Sequence, residues 1–145
     1  MLLGRDEAER LLQLMGDDLR PLQPNPLESL RQVGILFAVD ASGTRADFLL
    51  SDTAHDVEAI ERARRIDALP GVTVRVCTPE DLVIYKLVAT RARDHEDAST
   101  VIRRQAGSLD TAYVLRWLGE FEKVLDDSTL ITTFESMRAR WRNRP

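Results

Sequence analysis

Lysine is nearly missing from this chain: Lys86 and Lys123 are the only two in 145 residues, against many arginines. Such a bias reads as coding composition, and it makes each lysine position stand out. Cysteine is reduced to Cys77, so no internal disulfide can form, which suits a reducing cytoplasm. The seven glycines are scattered and never adjacent. No Gly-x-x-x-x-Gly-Lys or Gly-x-Gly-x-x-Gly loop exists, which removes the common phosphate cradles. No apolar run approaches the ~20 residues of a membrane helix. The opening MLLGRDEAER carries acids where a secretion signal is apolar. A net charge of −4 excludes a globally basic nucleic-acid binder. Cys77, His55 and His95 lack zinc-ligand spacing.

What remains is an ordinary soluble composition, 43% hydrophobic and 30% charged. A chain of this length buries about 70% of its unfolded surface as one domain. The pattern predicts a helix over Arg5 to Met15, closed by Gly16, and then a loop from Asp17 to Ser29 broken by Pro21, Pro24 and Pro26. Two β-rich runs, Gly34 to Val39 and Arg45 to Leu50, flank Asp40-Ala-Ser-Gly43 and read as a hairpin. Asp47 points to the face opposite Phe48. A charged helix from His55 to Ile66 and a strand from Val72 to Val76 follow. Thereafter every segment is helical: one capped by Thr78, one opened by Asp94 and running to Ala106, one capped by Asp110, and one carrying Leu130, Phe134, Met137 and Trp141 on one face. The expected class is α+β, a small mixed or antiparallel sheet followed by a C-terminal helical bundle, with residues 1–78 and 79–145 as its two parts.

The stretch from Thr78 to Asp97 carries the best candidate site. Pro79 suits the first helical position, and Asp81 sits where a capping acid belongs. The helix is apolar nearly all round, through Leu82, Val83, Ile84, Tyr85, Leu87, Val88 and Ala89, so it should be buried on several sides. Lys86 interrupts it, on one strip with Thr90 and, if the helix lasts, Arg93. It is either a phosphate-binding point charge or a snorkelling side chain. Asp94 and Asp97, three residues apart, face the same way; capping suits Asp94, and Asp97 is freer to act. Arg91 and Arg93 can grip phosphate or pair with those acids. Asp47, a carboxylate in an apolar strand, is either a metal ligand or general base on a rigid element, or a residue on a solvated sheet face. The terminal arginines, Arg138, Arg140, Arg142 and Arg144, complement a helix end; an RNA-binding role for them predicts salt-sensitive affinity.

These stretches together resemble the minimal nucleotidyltransferases of prokaryotes, the superfamily that includes AbiEii-type toxins. The matching pieces are Gly43-Thr-Arg-Ala-Asp47-Phe-Leu-Leu, the helix rich in Glu and Arg up to Arg65, Val74-Arg-Val-Cys-Thr-Pro-Glu-Asp-Leu82, Lys86-Leu-Val-Ala89, Arg91-Ala-Arg93-Asp94-His-Glu-Asp97 and Gly107-Ser-Leu-Asp110. The resemblance implies Asp47 as a metal-binding carboxylate, Lys86 as a nucleotide contact, and Asp94 or Asp97 as the later acid, with Arg93 beside it. It implies Mg²⁺-assisted transfer of a nucleoside monophosphate from an NTP to RNA or to a protein hydroxyl. The family's opening Gly-Gly or Gly-Ser turn and strand Asp-x-Asp pair are lacking; the expectation is a chain that starts just after them, without self-sufficient chemistry and with an uncovered sheet edge or apolar groove. A non-catalytic interaction protein on the same scaffold, an antitoxin or a partner subunit that homo-oligomerises or pairs with a toxin, is the alternative.

Overall fold

A computed structural model describes residues 7–105 and 107–142; the expectations placed on Arg5, Ala106 and Arg144 fall outside them. Among the described residues the chain is α+β, with seven helices, one three-stranded and one two-stranded antiparallel sheet, and an uninterrupted helical C-terminal part. It divides into two units, one up to Glu61 and one from Arg62 onward.

The first unit is organised on the strand β2 (Ile35–Asp40), whose alternation sends Leu36 and Ala38 into the core, both fully buried. β1 (Leu19–Pro21) and β3 (Arg45–Leu49) pair antiparallel on its two sides, with Leu36 opposite Phe48 and Phe37 opposite Asp47. The helices α1 (Ala8–Met15) and α2 (Pro26–Val33) contribute Leu11, Met15 and Leu30 to the same core. The loop expected from Asp17 to Ser29 is therefore corrected. Pro21 ends an edge strand, where no ladder N–H is lost. Pro26 opens α2 at the position where proline forfeits nothing. The turn between β2 and β3 is held by Asp40, which accepts the backbone N–H of Ser42 and of Thr44, each at 2.8 Å. Those bonds, with the Ser42 hydroxyl foremost, keep the Asp40 carboxyl below its usual range.

The helix α3 (Ala54–Arg62) stops four residues before the expected Ile66. Its continuation is the strand β4 (Arg64–Leu69), paired with β5 (Val72–Val76) through a two-residue turn of Pro70 and Gly71. Gly71 takes φ 78°, which glycine alone holds without strain. Then come α4 (Pro79–Val88), α5 (Ala92–Gln105), α6 (Thr111–Leu125) and α7 (Leu130–Arg142). Val83, Ile84 and Leu87 of α4 are fully buried among Ala98, Val114, Leu118 and Phe134. The all-round apolar character of α4 thus has its expected cause: three helices enclose it.

Candidate functional site

The site forms where α4 gives way to α5. Ala89 is the last residue in helical geometry, and Thr90 follows with φ 56°. A β-branched residue rarely adopts that left-handed conformation, so the corner is strained at the point that swings α5 back alongside α4. Because α4 ends there, Arg93 does not continue the strip of Lys86, as a longer helix would have had it. Arg93 instead lies exposed in the first turn of α5, next to Arg91.

Lys86 stands in the last turn of α4. Its Nζ donates to Asp94 Oδ1 at 2.7 Å and to Asp97 Oδ2 at 2.9 Å. Arg91 Nε lies 3.6 Å from the other Asp94 oxygen. The cluster is graded in exposure: the Asp94 side chain is 14% exposed, Lys86 28% and Asp97 50%. The hydrogen bonds from Asp94 and then Asp97 raise the Lys86 pKa. Reciprocally, the Lys86 bond holds the Asp94 carboxyl below the usual carboxylate range. Asp94, expected to cap α5, is corrected here: α5 begins two residues earlier, and the Asp94 carboxylate faces Lys86. Spacing put both acids on one face and the lysine on a buried helix. The fold brings the three together.

Asp47 belongs to the other unit. It lies on the exposed face of β3, with Phe48 turned towards the core. Its Oδ1 accepts from Arg45 Nε at 2.6 Å and its Oδ2 from Arg45 Nη2 at 3.3 Å. The same guanidinium sits 4.4 Å over the Phe37 ring. A divalent cation wants several oxygens directed at one point. Both oxygens of Asp47 are turned on an arginine, and among the described residues no three His, Cys, Asp or Glu side chains converge. Asp47 with these neighbours does not fit a Mg²⁺ site.

A second polar cluster is legible in the sequence only as separate caps, Thr78 with Asp81 and, apart from them, Asp110. Asp81 and Glu80, in the first turn of α4, are buried, Asp81 completely. Asp81 Oδ1 accepts the Tyr113 hydroxyl at 2.6 Å, and Oδ2 accepts the Thr78 hydroxyl. Glu80 accepts the backbone N–H of Asp110 at 3.0 Å, and Asp110 in turn caps α6 through the N–H of Tyr113. Arg62 stacks 3.8 Å over the Tyr113 ring, with nitrogens 3.7 Å from both acids. The Thr-Pro-Glu-Asp start of α4 therefore ties three elements together, and its acids are structural. The signal available in the sequence was Asp110 and Tyr113 at N-cap and third-position spacing, although nothing there named Glu80 as their partner.

No family model matches the chain, and no curated protein matches it.

Proposed function

We propose that the chain is a nucleotidyltransferase-type domain in which the Lys86 ammonium, with Arg91 and Arg93, receives the phosphates of an NTP. The observation that carries this reading is the geometry of Lys86. It is a single cation on a buried helix, kept fully charged by Asp94 and Asp97, with its outer partner half in water. An incoming triphosphate can take the place of Asp97 on Nζ while Asp94 keeps the amine in position. The two exposed arginines add planar donors suited to phosphate oxygens. In this reading Mg²⁺ arrives with the nucleotide, held mainly by its phosphates, and the acceptor is RNA or a protein hydroxyl. Thermal unfolding with each NTP and Mg²⁺ tests it. A nucleotide-dependent rise in Tm for at least one NTP, lost in Lys86→Met, is the expected result; no rise for any of the four NTPs contradicts it.

The second reading is a non-catalytic interaction protein on this scaffold, an antitoxin-like chain or partner subunit. It is favoured by the Arg45–Asp47 pair, which closes the strand carboxylate with an arginine, and by the open β4–β5 hairpin.

A further inference from the structure

All residues of β4 and β5 are exposed, and they form a sheet of two strands only. Their register, Arg64↔Val76, Arg65↔Arg75, Ile66↔Val74, Asp67↔Thr73 and Leu69↔Val72, sorts the side chains into two faces. One carries Ile66, Leu69, Val72, Val74 and Val76 with Arg64; the other carries Arg65, Asp67, Thr73 and Arg75. A lone two-stranded hairpin is marginal in water, and a free strand edge is a template for another strand. What seats on it follows from charge. Directly across the ladder Arg65 faces another arginine, Arg75, and so no acid. Asp67 accepts a hydrogen bond from Thr73 Oγ1 at 2.8 Å and is in no ion pair among the described residues. The Arg-x-Asp spacing that closes an ion pair along β3 leaves one open along β4.

We propose that the outer edge of β4 pairs antiparallel with β4 of a second copy, Ile66 opposite Ile66. That register sets Arg65 of each copy against Asp67 of the other, on the polar face, and keeps the apolar faces of both hairpins on one side. Neighbouring registers fail. A shift of one residue sets apolar face against polar face. A shift of two in either direction sets Arg65 against Arg65 or Asp67 against Asp67. The result is a four-stranded sheet in the order β5-β4-β4-β5. The irregularity after Asp67 limits the regular edge to a few residues, so the interface is at the small end of specific contacts and the dimer is weak and concentration-dependent.

Sedimentation equilibrium of the full chain over roughly 5–500 µM covers the range such a contact populates. The mean mass should climb from 16.4 kDa towards twice that value. Arg65→Asp and Asp67→Arg each place like charges in opposition and should weaken the dimer about ten-fold or more. The double variant, with both charges exchanged, should restore it. Circular dichroism should stay unchanged throughout, because all the altered side chains are exposed. A constant 16.4 kDa at every concentration, single variants that dimerise like the parent, or an exchange that fails to rescue would each overturn the pairing.

Discussion

At the scale of single residues, the two polar clusters differ in what they can lose. Tyr113 donates to an aspartate with no access to water. Tyr113→Phe removes that donor and leaves the buried carboxylate short of a partner, which should cost about 1–3 kcal/mol in urea unfolding. The Lys86 cluster is wetter, and its effect is read through pH. Asp94 has its carboxyl lowered from 3.8, so its contribution is present above that value and is lost as pH falls through the lowered one. Lys86 is raised from 10.5, so its contribution is present below that value and is lost as pH rises through the raised one. The stability difference between parent and Lys86→Met should accordingly be flat from about pH 5 to about pH 10 and shrink in acid. A difference that changed steeply near neutrality would mean that another group holds Asp94.

At the scale of elements, legibility followed the strength of the local rule. Thr78 accepts the Asp81 N–H as its sequence setting required, and the hairpin around Gly43 has the register implied by its flanking alternation. The failures have physical causes. Arg-Ala-Arg-Arg-Ile reads as helix because arginine and alanine favour it; pairing with Val72–Val76 across Pro70-Gly71 outweighs that preference. Three prolines in the thirteen residues from Asp17 to Ser29 read as loop, yet two of them stand where a missing N–H is harmless. Phe134, fully buried on α7, was legible from its spacing. Phe134→Ala should cost about 3–5 kcal/mol, measured as the shift in denaturant midpoint with an unchanged slope. Gly71→Ala should destabilise the hairpin by about 1 kcal/mol, seen as faster amide exchange in β4 and β5 with α4 to α7 unaffected.

At the scale of the whole molecule, the chain is two units, and the candidate residues are divided between them: Asp47 in one, Lys86, Arg91, Arg93, Asp94 and Asp97 in the other. Helix spacing put Asp94 and Asp97 on one face, but their meeting with Lys86 depends on the Thr90 corner between the helices, which spacing does not give. Spacing was silent on Arg45 closing over Asp47, since that depends on a two-residue strand repeat and on the Phe37 ring beneath. No helix among the described residues is long and apolar enough to cross a membrane. The central claim concerns the helical unit and is independent of Asp47: Lys86 is a phosphate contact held ready by two acids. Isothermal titration of each NTP with Mg²⁺ into the parent chain and into Lys86→Met tests it most directly. The account predicts saturable binding of at least one NTP by the parent and affinity lower by about ten-fold or more in the variant. Equal affinity in the two proteins, or no binding of any NTP by the parent, would contradict it.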